Sequence, residues 1–405
     1  MSGTPVRSFF ASVPLGMEQL LEQELAGLGA SSLKRERAGV RFEADLATAY
    51  RICLWSRLAS RILLPISRFP APDARKLYAG VKAIRWRDHL KPEGTLAIDV
   101  TQSGPPGPEL RNTHFVALKS KDAICDQFMS TTGVRPSVQL AQPDLQIRIH
   151  LEKGEASVSI DLSGDSLHRR GYRAAGAQAP LKENLACAIL ILAGWPALSK
   201  PGAGFVDLMC GSGTLPIEAA LMSTNTAPGF FREYFGFLGW LGHDAPAWRL
   251  LKKQAIEARI TDPKKLPRFF AFDRDNRTLA VARENAAEAM VSELIHFERR
   301  ELKDASQIAP NYGSTGLIGA NPPYGERLSE VDELKADYKL IGDTFKQKAP
   351  GWNGFVFTGS PELSKVVGLK PSARHLLYNG SIECRLLTYE MYSGSRNPVT
   401  PLQAT

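Results

Sequence analysis

Two short stretches hold residues whose types and spacing could do chemistry. "ANPPYGERL", residues 320 to 328, sets two adjacent prolines between Asn321 and Tyr324, at the end of the small-residue run "GSTGLIGA". Neither proline has an N–H to donate and both fix φ, so this corner is stiff and presents acceptors. The acceptors are the Asn321 side-chain oxygen and the Pro322 carbonyl, with the flat ring of Tyr324 beside them. The second stretch is "DLMCGSGT", residues 207 to 214, where Gly211 and Gly213 would let backbone approach a ligand closely. No Lys-Ser/Thr follows it, which excludes a Walker loop, and Pro216 stands where a dinucleotide fingerprint needs its third glycine. Asp207, four residues ahead of the glycines, suits a ligand with an ammonium group. S-adenosylmethionine (SAM) has one. Asp273 closes "RFFAFD", where a strand-end carboxylate can hold ribose hydroxyls.

Together these residues describe a methyl transfer. With SAM over the glycine turn, a methyl group would pass in line from sulfonium to a nucleophile. An exocyclic amine on a base is a poor nucleophile, because its lone pair is delocalised into the ring. Two acceptors that hold its hydrogens turn the lone pair toward the methyl and stabilise the positive charge developing on nitrogen. Asn321 and Pro322 supply those acceptors, and Tyr324 offers a face for a base taken out of its stack. The plain alternatives are a rigid loop and an ordinary glycine turn, and the coexistence of both stretches with Asp207 and Asp273 weighs against them. Cys210 is a rival nucleophile, but no cationic or basic neighbour is adjacent to activate it, so it reads as a structural cysteine.

The elements that must position these residues follow from the pattern around them. "GFVDLMC" reads as a strand leading through the glycine turn into a helix from Leu215. "RFFAFD" leads into the helix "RTLAVARENAAEAM", and "LIGANPPYG" is a strand with its loop. "GFVFTGS" follows, and "ARHLLYNGSIECRLLTYEM" closes the chain as two strands around an Asn-Gly turn. Strands alternating with helices predict an α/β fold, a largely parallel doubly wound sheet with an antiparallel hairpin at one edge. Ahead of it, "PLKENLACAILILAG" is a helix, and "DLQIRIHLEKGEASVSIDLSG" is a hairpin around Lys153-Gly154. About 60 residues separate the first two strands of the sheet, where a standard unit takes ~30. The insertion, including "PGFFREYFGFLGWLGHD", is aromatic-rich; packing is the first reading and a substrate lid the second.

The 405 residues exceed one ordinary core. "LHRRGYRAAGAQAP", residues 167 to 180, is the expected boundary, and the last dozen residues read as a loose tail. No apolar run reaches 18 residues, so no membrane helix is expected, and no apolar leader opens the chain. Five widely spaced cysteines without a CxxC fit a reduced cytoplasmic enzyme, and the seven histidines form no metal-binding pattern. The net charge is +8, and residues 51 to 91 carry ten Lys or Arg against Asp73 and Asp88. That concentration suits a polyanionic partner; a solvated face is the competing reading.

"DLMCGSGTLPIEAA" with "NPPYGERL" resembles the amino-methylating class I SAM-dependent methyltransferases. "RNTHFVALKSKDAICDQF", "LSGDSLHRRGYR" and "APLKENLACAIL" resemble the THUMP-containing RNA guanine-N2 branch, in its bacterial 23S rRNA form, over nearly the whole chain. The resemblance implies an α+β ferredoxin-like segment (1–60) and THUMP domain (61–165) that bind RNA. A linker (166–180), a Rossmann-like SAM-binding domain (181–391) and a tail (392–405) would follow. It implies that Asp207, Gly211, Gly213 and Asp273 bind cofactor, that Asp304 in "ELKDASQI" contacts its adenine, and that Asn321, Pro322 and Tyr324 hold the target guanine. Some members carry a second, fused methyltransferase domain; the sequence stops after the closing hairpin, so that second activity is expected to be absent. Methylation of tRNA guanine, DNA adenine or protein glutamine, or an inactive RNA-binding assembly factor, are the alternatives.

Overall fold

A computed structural model describes residues 5–105, 107–173, 181–305, 308, 311–325 and 328–392. The second half of the expected linker (174–180) and the expected tail beyond residue 392 lie outside the described residues. The chain forms two compact units, residues 1–171 with 227–258, and residues 172–226 with 259–405.

The first unit is built on one eight-stranded sheet. Its elements are β1 (Arg7–Ser12), α1 (Glu18–Gly27), β2 (Ser31–Glu36), β3 (Gly39–Ala44), α2 (Leu46–Trp55), β4 (Arg61–Pro70), α3 (Ala74–Lys82), β5 (Thr95–Ser103), α4 (Thr113–Thr132), β6 (Ser137–Val138), β7 (Leu145–Glu152) and β8 (Glu155–Asp161). The sheet order is β2-β3-β1-β4-β8-β7-β5-β6. β4 pairs with β1 on one side and β8 on the other, so the sheet runs without a break past residue 60. Local chemistry sets the element ends. Asp45, Asp73 and Asn112 accept backbone N–H bonds in the first turns of α2, α3 and α4. The β7–β8 hairpin turns on Lys153 and Gly154, both at positive φ (51° and 78°), as a two-residue type I′ turn requires.

The second unit carries the expected doubly wound sheet. It runs α5 (Glu183–Leu192), α6 (Trp195–Leu198), β9 (Ala203–Asp207) and α7 (Thr214–Ser223). Residues 227–258, with α8 (Ala245–Glu257), then belong to the first unit. The second unit resumes with β10 (Arg268–Asp273), α9 (Asn276–Glu288), β11 (Ile295–Arg299), β12 (Thr315–Ala320), α10 (Leu328–Lys348), β13 (Asn353–Thr358), α11 (Pro361–Val366), β14 (Ala373–Asn379) and β15 (Ile382–Glu390). The order is β11-β10-β9-β12-β13-β15-β14, parallel from β11 to β13 and antiparallel at the β15–β14 edge. β9 is buried along its whole length, which is why its sequence is apolar without alternation.

The aromatic insertion packs within the first unit. Phe237 stacks on Tyr50 at 4.2 Å, and the Tyr50 hydroxyl is 2.9 Å from His243 Nδ1. Arg232 donates to the carbonyls of Ser163, Asp165, Ser166 and Arg169 at 2.8–3.0 Å. The start of the expected linker is therefore pinned. Arg170, almost fully buried, adds bonds to the carbonyls of Leu167 and Arg57.

Candidate active site

The second unit places its chemistry at the carboxyl ends of five parallel strands. β9 lies between β10 and β12, so the connections leave it in opposite directions, the arrangement that opens a crevice in doubly wound sheets. A cleft of about 1150 Å³ lies there. Its wall includes Gly211, Asp273, Asn321, Pro322 and Tyr324, five of the eight residues singled out in the sequence.

The glycine turn is held from below and from the side. Cys210 N–H donates to the Phe272 carbonyl at 2.8 Å and Gly211 N–H to Asp273 Oδ2 at 3.0 Å, tying the turn to the end of β10. Asp273 Oδ1 accepts from Asp275 N–H at 3.0 Å. Each carboxylate oxygen still has a free lone pair. Gly211 has φ of +54° and open space where a side chain would project, so a ligand can lie against its backbone. Gly213 has a different role. At φ +83° it starts α7, and an added Cβ would stand 3.1 Å from Ala282, so it lets α7 and α9 close up.

Asp207 is fully buried and does not form part of the cleft wall; Leu208 and Met209 do. Its Oδ1 accepts from Met209 N–H at 3.1 Å, while Oδ2 has no hydrogen-bond partner among the described residues. Burial, reinforced by Asp273, pushes its pKa up to about 7. Cys210 is buried too, and burial with the nearby Asp207 and Asp273 holds its thiol well above the ordinary range, which leaves no thiolate for nucleophilic attack. Asp304 ends a short 3₁₀ turn, exposed, and is not among the cleft residues. Glu301 and Leu302, at the start of the same turn, are.

The Asn-Pro-Pro-Tyr corner begins one residue past the end of β12. The Tyr324 hydroxyl donates to Asn321 Oδ1 at 2.9 Å, which leaves that oxygen one more acceptor site and fixes which way the amide faces. Behind it, the buried Tyr338 of α10 donates to the Pro323 carbonyl at 3.1 Å and meets Thr358 Oγ1 at 2.7 Å. No described residue donates to the Pro322 carbonyl. Tyr324 sits edge-on to Phe357 at 6.2 Å, and burial raises its pKa far enough to keep the phenol protonated. Gly359 gives it room, since an added Cβ would lie 2.8 Å from the Tyr324 ring. The hairpin tip, Asn379, Gly380 and Ile382, closes this side of the cleft.

Sequence reasoning missed Glu301, Asp337 and the hairpin tip as cleft residues. The Asn-Gly signal did mark the tip as a turn. Nothing in the polar run of α10 singled out Asp337. Among the described residues no group of three or more His, Cys, Asp or Glu could hold a metal ion, and no helix is long and apolar enough to cross a membrane.

Comparison with known proteins gives the same picture. Residues 8–63 match the RlmL ferredoxin-like domain, 71–161 the THUMP domain, and 170–388 the family described as RMKL-like, methyltransferase domain. A protein of Syntrophotalea carbinolica named ribosomal RNA large subunit methyltransferase K/L is 47% identical over 398 residues, covering 97% of this chain and 55% of that protein. The chain spans about half the length of the curated relatives it matches. Among solved structures, SMU.472 in complex with SAH is 30% identical with a TM-score of 0.83, over 96% of this chain and 99% of that one. A Listeria monocytogenes structure named as a predicted N6-adenine-specific DNA methylase is 29% identical with a TM-score of 0.82, over 96% and 97%. With the Gly211 turn and the Asn321 corner on one cleft, and more than half its length matched to that one description, the chain belongs to the RMKL-like methyltransferase-domain family.

Proposed function

We propose that this protein transfers the methyl group of SAM to the exocyclic N2 amine of a guanine in 23S rRNA, in the cytoplasm. The observation that carries the reading is the meeting of the Asn321–Tyr324 corner with Gly211 and Asp273 in one cleft. The names of the curated relatives support ribosomal RNA as the substrate. In this reading the front half, a ferredoxin-like segment (1–60) and a THUMP domain (61–165), binds RNA. Residues 166–180 connect it to the methyltransferase domain (181–391), and 392–405 form a tail.

The residues present fit SAM. Gly211 leaves its backbone open to a ligand and Asp273 faces the cleft with acceptor capacity for a ribose diol, while Asp207, buried outside the cleft wall, keeps Oδ2 without a partner among the described residues. When bound, the cofactor supplies an electrophilic methyl. The chain's own residues do the rest. Asn321 Oδ1 and the Pro322 carbonyl take the two hydrogens of the amine and direct its lone pair. Tyr324 orients Asn321 and walls the base. The amine becomes cationic as it is methylated, these two acceptors stabilise that charge, and the methylated amine then gives up one proton to solvent.

A second reading, methylation of adenine N6 in DNA, shares the corner and draws on the name of the Listeria structure. Methyl transfer from labelled SAM to 23S rRNA, tRNA and duplex DNA, assayed side by side, separates the readings. The proposal expects 23S rRNA to be labelled well ahead of the others. Preferential labelling of tRNA or DNA would replace the substrate and keep the cleft; no labelling of any of them would remove the activity.

A further inference from the structure

The cleft contains two carboxylates, Asp337 and Glu301, that the methyl transfer as proposed leaves unused, and Asp337 is the one beside the Asn321–Tyr324 side. Asp337 lies on α10 three residues after Leu334 and four before Ile341, on the stripe that also carries Tyr338 and Phe345 into the core. It is half-buried and lines the cleft. It makes no ion pair or side-chain hydrogen bond among the described residues, although α10 offers cations such as Lys335, which pairs with Asp332 and Glu362. A carboxylate on a core-facing stripe without a partner costs stability unless it meets water or a ligand. Its place is informative. The next residue, Tyr338, holds the Pro323 carbonyl, so the turn of α10 that carries Asp337 is anchored to the Asn321–Tyr324 corner. The cleft's other free carboxylate, Glu301, follows β11, and β11 is paired with the strand that carries Asp273, at the cofactor end.

We propose that Asp337 determines base specificity by accepting the N1–H of the target guanine. This rests on the guanine reading above. The exocyclic amine of guanine carries two hydrogens, one of them on the Watson–Crick edge beside N1–H. Asn321 and Pro322 hold the amine; the adjacent N1–H needs a third acceptor, and Asp337, next to the residue that holds Pro323 and lining the same cleft, supplies it. Adenine and cytosine carry an amine too, but the ring nitrogen beside it bears a lone pair, which a carboxylate repels. Asp337 thus selects guanine among the amine-bearing bases, while the corner alone would accept any of them.

The test uses the full chain and 23S rRNA assembled by splinted ligation, with guanine or 2-aminopurine at the nucleotide that the wild type methylates. 2-Aminopurine keeps the amine and replaces N1–H with a lone pair. Wild type should prefer guanine by about 10-fold or more, the discrimination of one good polar pair. Asp337→Asn, whose amide can donate to the analogue, should shrink or invert that ratio, with SAM affinity by calorimetry unchanged. Asp337→Ala should lower transfer to guanine and flatten the ratio. A wild-type ratio in a folded Asp337→Asn overturns the proposal, as does a loss of SAM affinity, which would assign Asp337 to the cofactor. If wild type methylates no guanine at all, the guanine reading itself fails, a result distinct from either.

Discussion

At the scale of the residue, Tyr324 does more than its ring suggests. Its hydroxyl is the donor that turns Asn321 Oδ1 toward its task, so the tyrosine and the asparagine act as a pair. Tyr324→Phe keeps the ring and removes the donor. Transfer should fall about 5-fold, the worth of one hydrogen bond near 1 kcal/mol, with SAM affinity and thermal midpoint nearly unchanged. A wild-type single-turnover rate would show that Asn321 orients itself. Asp207 gives a pH signature. Its folded-state pKa of about 7 lies above the 3.8 of an unperturbed aspartate. Its stabilising effect is therefore complete below the lower value and is lost as pH rises through the upper one. Asp207→Asn stays neutral throughout. Urea unfolding of wild type relative to this variant should lose ~4 kcal/mol between pH 4 and pH 8. A difference that stays flat with pH would mean that Asp207 ionises freely in the fold.

Among elements, the loop after β13 supports the corner by leaving space. Gly359→Ala would drive a Cβ to 2.8 Å from Tyr324 and 3.0 Å from Ile382. It should cost about 1–3 kcal/mol of stability and lower transfer with it, while SAM binding, proposed for the Gly211–Asp273 side of the cleft, is kept. Loss of SAM affinity instead would mean that the two sides are not separable. Much of this level is legible in the sequence. β10 can be read residue for residue, because "RFFAFD" is a continuous apolar run closed by an acid, and the Lys153-Gly154 hairpin is marked by alternation on both sides. β11, "IHFER", is not legible, since a charged edge strand lacks that contrast. α10 escapes because its core stripe is diluted by charge, and Asp337 escapes with it. The corner and the glycine turn can be read because their chemistry is local. Glu301 and the hairpin tip cannot, because they meet the cleft only through sheet order.

For the molecule as a whole, the aromatic insertion shows what a linear reading cannot reach. Its partners, Tyr50 and the 163–169 carbonyls, lie far away in the chain, so the sequence carries the composition of a packed segment without its address. The charge surplus is also resolved into parts. Arg61 is committed to the buried Asp161, Arg68 to Glu155 and Arg85 to Asp88. Arg51, Arg75, Lys76, Arg87 and Lys91 make no ion pair among the described residues, and Lys82 lies over the Tyr78 ring at 5.6 Å. Replacing Arg75, Lys76 and Lys82 with Gln should weaken binding of cognate and unrelated RNA alike. The slope of log K against log salt should flatten by roughly 0.7 to 0.9 for each phosphate that is no longer neutralised, with SAM affinity unmoved. An unchanged slope in the folded variant would make this a solvated face. The most direct test of the proposed activity is the identity of the methylated nucleoside. 23S rRNA treated with SAM and either wild type or Asn321→Ala would be digested and its nucleosides identified by mass spectrometry. The expected product is N2-methylguanosine from wild type and at least ~100-fold less of it from the variant; methyladenosine, or equal yields from the two proteins, would contradict the proposed chemistry.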